Sequence, residues 1–141
     1  LETSSYSLVT IAREASKYFS KDGASVISMT FDASTKVYPG YNVMGTAKAA
    51  LENINRQLSA QFGPNKTRFN SISAGPLPSL SARSIPGFTE MRKAHEERSP
   101  IKRPITHEEV ANTALFLISD MSSGITGSII PVDGGYGIIA L

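Results

Sequence analysis

The chain has 141 residues, 40% of them apolar, enough for one globular core. Its 14 basic and 12 acidic residues leave a formal charge of +2, too even a balance to argue for a nucleic-acid partner, and the lack of cysteine excludes disulfides and thiolate metal sites. No apolar run approaches the roughly 20 residues of a membrane span, no signal peptide is visible, and Leu1 opens in mid-pattern rather than on Met, as in a fragment or processed chain.

Residues 4 to 19 place Leu8, Ile11, Ala12, Ala15 and Phe19 at helical spacing, with Ser4 or Ser5 as N-cap. Asp22-Gly23 marks a turn, and residues 24 to 31 read as a short buried strand. A loop ends at Pro39-Gly40. Residues 41 to 63 form a long helix whose apolar stripe is Met44, Ala47, Leu51, Ile54, Leu58 and Phe62, stopped by Gly63-Pro64. Residues 67 to 73 give the next strand, closed by Ala74-Gly75-Pro76. Residues 77 to 105 read as irregular, with prolines at 78, 86, 100 and 104, a length that points to a lid or binding loop. Its basic residues from Arg92 to Arg103 alternate with Glu96 and Glu97, as on a solvated face. Thr106-His107-Glu108-Glu109 resembles a capping box and starts a helix through Val110, Ala114, Leu115, Leu117 and Ile118. Residues 127 to 133 form the last strand, ending at Asp133-Gly134-Gly135. Strands separated by helices imply an α/β fold with a parallel sheet, and ligands in such sheets gather at the carboxyl ends of the strands.

Tyr41 and Lys48, seven residues apart at the start of the long helix, share one helical face. A phenol beside an ammonium is equipment for stabilising a developing oxyanion. The spacing alone arises by chance in about one such chain in four, so its context carries the argument. The pair follows a strand and a loop. Gly45 lies between the two side chains on the same face, and the next strand ends in small residues that permit close approach by a ligand. His95 and His107 have no metal-ligand spacing and are given no role; the first lies in the irregular segment and the second in an exposed first helical turn. Tyr38, next to Pro39, reads as a surface residue, and Asp133 as a turn former with a part in subunit contacts.

Four stretches together resemble the carboxyl-terminal half of the enoyl-acyl-carrier-protein reductases of the short-chain dehydrogenase superfamily. They are Ser4-Ser5-Tyr6-Ser7, Tyr41-Asn42-Val43-Met44-Gly45 with Ala47-Lys48-Ala49, Asn70 to Pro76, and Val132-Asp133-Gly134-Gly135. The similarity runs over essentially the whole chain, in order. Ordinary ketoreductases of the superfamily use Tyr-x3-Lys, whereas Gly45 stands at that place here.

The resemblance implies half of a Rossmann-like doubly wound sheet, with a substrate-binding loop at about 78–100. It also implies reduction of trans-2-enoyl thioesters by NADH or NADPH in fatty acid biosynthesis. Tyr41 would hydrogen-bond the thioester oxygen, and Lys48 would hold the nicotinamide ribose. Met29, Thr30, Gly75, Pro76, Leu77 and Ser79 would line the cofactor, while Phe31, Met44, Leu77, Ala82 and Ile85 would line the acyl pocket with Tyr41. Phe31 stands where many family members have a second tyrosine and resembles the mycobacterial long-chain branch, which bears on chain length and on binding of phenolic inhibitors such as triclosan. The implied partners are an acyl carrier protein bearing the substrate, three further copies in a homotetramer, and a missing amino-terminal half carrying the glycine-rich pyrophosphate turn, without which the chain would be inactive. The implied compartment is the cytoplasm, or a plastid if a targeting segment was lost. The competing readings are a non-catalytic assembly module, using the helices at 4 to 19 and 41 to 63 as an interface, and a 3-ketoacyl reductase.

Overall fold

The computed structural model describes residues 1–140. Three strands, β1 (Ser25–Thr30), β2 (Arg68–Ala74) and β3 (Ile129–Val132), lie side by side in that order, all parallel. Parallel neighbours need long crossovers. The first is supplied by α2 (Val43–Phe62), and the second by α3 (Leu80–Arg83), α4 (Phe88–Arg98) and α5 (His107–Ile118). The register sets Thr30 opposite Ser73 and Ala74 opposite Val132, so all three carboxyl ends open on the same side of the sheet.

The middle strand shows how the sequence makes two cores. Successive side chains of β2 point to opposite faces. Phe69 packs with Leu51 and Leu58 of α2 and with Leu8 and Ala12 of α1 (Ser7–Ala15). Ile72 faces the other way, against Val110 and Leu117 of α5 and Ile105. The chain is thus wound on both faces of the sheet, as the alternation of strands and helices predicts. α5 opens with the expected capping box: Thr106 Oγ1 accepts from the Glu109 N–H, and the Glu109 carboxylate accepts from the Thr106 N–H.

Several expectations are corrected. The first helix has no serine N-cap; a turn of π-helix at Glu2–Tyr6 precedes α1, and the buried Ser5 hydroxyl instead donates to the Ala47 carbonyl at 2.7 Å, tying this segment to α2. Ile11, Leu115 and Ile118 fit the helical periodicity but face outward. The long helix starts at Val43 rather than Tyr41, because Asn42 has φ 47° and ψ −129°, a positive-φ conformation that no α-helix can continue through.

About half of the segment 77–105 is helical rather than irregular. Its prolines sit at the joints: Pro86 precedes Gly87 (φ 76°), which leads into α4, and Pro100 follows the end of α4. Ser79 caps α3, its Oγ accepting from the Ala82 N–H. α4 is mostly polar and buries only His95, so it carries too weak an apolar stripe to be read from periodicity.

Candidate active site

A cavity of about 470 Å³ opens at the carboxyl ends of β1 and β2. Its walls come from Met29, Thr30 and Phe31 at the end of β1, Ala74 to Leu77 after β2, Tyr41 and Lys48 at the start of α2, and Ser79, Ala82, Ile85, Phe88 and Met91 from the helical segment; His107 closes one side. Every residue assigned a site role from the sequence lines this space except Met44. Met44 lies in the first turn of α2, is exposed and faces elsewhere. The same positive-φ Asn42 that delays the helix breaks the helical phase between Tyr41 and Met44, so a common face does not follow from their spacing.

Tyr41 is half-buried. Its ring packs edge-on against Phe31, centroids 5.5 Å apart, and burial pushes the phenol's pKa above its usual value. It is therefore a neutral hydrogen-bond donor across the ordinary pH range. Lys48 extends from α2 to the strand end, where its Nζ donates to the Met29 carbonyl at 3.0 Å. Burial lowers the ammonium's pKa, and the charge of Glu52, one helical turn on, works against that. Gly45 is held by a close approach: a Cβ there would lie 2.7 Å from the Ala33 carbonyl oxygen. A lysine at that place, as in the Tyr-x3-Lys arrangement, would meet this backbone.

Tyr38 is not a surface residue. Its ring packs at a tilt against Phe31, centroids 4.9 Å apart, and its hydroxyl donates to Asp32 Oδ2 at 2.9 Å. Burial, then Asp32, drives its pKa far up. It packs beside Phe31 and does not line the cavity. Asp133 forms a turn as expected, accepting from the N–H groups of Gly135 and Gly137.

His95 was missed. It is 3% exposed, stacks on Tyr136 at 4.1 Å, and fills the space a side chain at Gly75 would need, its Cε1 2.7 Å from that Cβ position. No local pattern signals this, because its contacts come from residues far along the chain. Glu52 was passed over too, although an acid four residues after Lys48, beside the buried Leu51, is a signal that could have been read. Phe88, Met91 and His107 are further wall residues that only the fold brings to the cavity.

A doubly wound parallel sheet with a tyrosine and a lysine meeting at its carboxyl edge is the architecture of the short-chain dehydrogenases. Residues 1–137 match the sequence model of the family described as Enoyl-(Acyl carrier protein) reductase, and the chain belongs to that family. It is 48% identical over 141 residues to the enoyl-acyl-carrier-protein reductase (NADH) FabI of Synechocystis, covering 100% of this chain and 54% of that protein. Its fold superposes with TM-score 0.94 on the Bacillus cereus enoyl-acyl carrier protein reductase solved with NADP+ and indole naphthyridinone, at 43% identity over 98% of this chain and 53% of that one. The Plasmodium berghei enzyme solved with triclosan gives TM-score 0.93 and 39% identity, over 97% of this chain and 48% of that one. The chain spans about half the length of the curated relatives it matches.

Proposed function

We propose that this chain is the carboxyl-terminal, catalytic half of a single Rossmann-like enoyl-acyl-carrier-protein reductase, reducing trans-2-enoyl thioesters to saturated acyl thioesters. The observation that carries this reading is the convergence of the Tyr41 phenol and the Lys48 ammonium on one cavity at the ends of β1 and β2. Residues 1–137 also match the reductase family, and Gly45 stands against the Ala33 carbonyl where a ketoreductase would have its lysine.

The residues present fit a nicotinamide cofactor. An ammonium has three donors, and Lys48 spends one on the Met29 carbonyl, leaving two for the ribose hydroxyls. Gly75 brings backbone to the cavity wall, its missing side chain leaving room for His95. Met29, Thr30, Pro76, Leu77 and Ser79 complete the cofactor side, and Phe31, Ala82 and Ile85 the acyl side. When bound, NADH or NADPH supplies a hydride to the β-carbon of the enoyl group.

Negative charge then grows on the thioester oxygen, and the neutral Tyr41 phenol donates its hydrogen bond there; a proton from solvent, added at the α-carbon, completes the saturated thioester. Lys48 fixes the ribose, and its positive charge favours the polarised phenol. The apolar wall of Phe31, Leu77, Ala82 and Ile85 keeps water from the developing charge and strengthens both interactions. The substrate arrives on an acyl carrier protein. The amino-terminal half supplies the pyrophosphate-binding turn, four copies assemble, and the enzyme works in the cytoplasm or a plastid stroma.

The test is reduction of a crotonyl thioester, followed by NADH absorbance, in the assembly of this chain with its nucleotide-binding half. Tyr41→Phe should slow turnover by about 100-fold, the usual effect of losing one oxyanion donor, with NADH still bound. Lys48→Ala should instead weaken NADH binding. Wild-type turnover in both variants would refute the assignment.

A further inference from the structure

Glu52 is a carboxylate in an unexpected place. It lies on the buried face of α2, 6% exposed, one helical turn beyond Lys48. A carboxylate so far from water is costly unless its charge is met by partners. Its Oε1 accepts from the Thr30 hydroxyl at 2.8 Å, and its Oε2 lies 4.0 Å from an Arg56 guanidinium nitrogen one turn further on. Lys48, Glu52 and Arg56 therefore form a plus–minus–plus row at four-residue spacing on one side of α2. The end of β1 anchors both members nearest the cavity: the Met29 carbonyl takes the Lys48 ammonium, and the Thr30 hydroxyl donates to Glu52.

Lys48 has to remain charged in a site that burial makes hostile to charge. We propose that Glu52, held by Thr30, is a positioning residue for cofactor binding: it keeps Lys48 protonated and locks its helix to the end of β1, without itself touching cofactor or substrate. The inference rests on the reading that Lys48 holds the cofactor ribose. The charged groups around Lys48 are few. On α2 they are Glu52 and Arg56; β1 offers only the Met29 carbonyl and the Thr30 hydroxyl; Tyr41 and, from α5, His107 are the other titratable side chains lining the cavity. Asp32, in the turn packed against α2, is taken up by Lys36 and Tyr38. Of the two carboxylates, Glu52 is the one whose charge opposes the effect of burial on Lys48.

The direction of the effect follows. Lys48 binds in its protonated form, so cofactor affinity falls as pH rises through its pKa. Removing the Glu52 charge lowers that pKa and brings the fall to lower pH. Glu52→Gln keeps the shape and the acceptor for Thr30 but removes the charge.

The experiment follows the Lys48 side-chain carbon resonance through a pH titration of the cofactor-free assembly, assigned with Lys48→Arg, alongside NADH affinity by fluorescence across the same range. Glu52→Gln should lower the Lys48 pKa, since Glu52 is the group that opposes burial there, and shift the alkaline limb of NADH binding to lower pH by the same amount. On that limb affinity falls about 10-fold for each pH unit the limb moves. Thr30→Val, which frees the carboxylate to move, should produce a smaller shift of the same sign.

A Lys48 pKa and an NADH profile unchanged by Glu52→Gln, in a variant that melts like wild type, would overturn the inference. If Glu52→Gln fails to fold, the Thr30→Val titration decides on the same criterion. Unchanged NADH affinity in Lys48→Ala would instead overturn the underlying reading, and the Lys48 titration would still report whether Glu52 sets its charge.

Discussion

Gly75 and His95 set up a test in which two substitutions, each harmful alone, together cost little more than one of them. A methyl group at residue 75 would lie 2.7 Å from His95 Cε1 and 3.0 Å from its Nε2, where carbon atoms in comfortable contact stand about 3.5–4.0 Å apart. The imidazole would have to retreat by about 1 Å. It cannot do so freely, because Tyr136 is stacked on it at 4.1 Å and the ring is almost wholly buried. Overpacking of this kind costs about 1–3 kcal/mol, and the blocked retreat puts Gly75→Ala near the upper end. His95→Ala alone removes a buried stacked ring and should cost about 2–4 kcal/mol. In the double variant the methyl no longer meets the ring, so the pair should cost little more than His95→Ala. That gives a coupling of about 2 kcal/mol, well inside the range for residues in contact. Urea denaturation at about pH 8 measures the cycle with the imidazole neutral; burial holds the His95 pKa below its usual value. Because Gly75 also walls the cavity, the single Gly75→Ala variant should raise the KM for NADH and the double variant should recover part of it. Costs that add within about 0.5 kcal/mol would refute the reasoning.

Three further outcomes are expected. Asn55 is buried on α2 with neither amide atom partnered among the described residues, so Asn55→Leu should stabilise the protein by about 1–2 kcal/mol, read as a rise in Tm. Arg68 donates to the Leu117 and Ser119 carbonyls and to the Ser122 hydroxyl, closing off the end of α5; Arg68→Met should cost about 2–3 kcal/mol in urea denaturation and increase amide exchange in the last turn of α5. The Glu109 carboxyl is held down to about 2, first by Arg103 and then by the Thr106 N–H. A carboxyl depressed in the fold contributes stability above its ordinary range, and that contribution is lost as pH falls toward 2. Glu109→Gln should therefore flatten the decline of stability between about pH 4.5 and pH 2, seen as a smaller wild-type-to-mutant difference in Tm at the acid end.

The parts of the molecule that were legible from the sequence are those in which one segment determines its own structure. The capping box at Thr106 is such a case: Glu109 sits three residues on, and the hydrogen bonds run within one turn of chain. The strands are another, because Phe69 and Ile72 must go to opposite faces wherever the strand is placed. α4 was hidden for the converse reason. Only His95 of its eleven residues is buried, and what buries it is Gly75 and Tyr136, twenty residues before and forty-one after. Ile11, Leu115 and Ile118 misled in the same way, since periodicity reports which residues share a face and not whether that face is covered.

The Tyr41–Lys48 pair shows that two side chains can reach one cavity by a route other than the one their spacing suggests. Seven residues on one helix would align the two side chains, yet Tyr41 stands outside the helix, before the positive-φ Asn42. Their common cavity has another cause. Phe31 packs against the Tyr41 ring, and the Met29 carbonyl takes the Lys48 ammonium, so the end of β1 gathers both. The same strand end, through Thr30, holds the buried Glu52. Residues 29 to 31 are thus a template on which phenol, ammonium and carboxylate are each set by a separate contact. Met44 obeys helix spacing but touches none of those contacts, and it is the one assigned residue that lies outside the cavity.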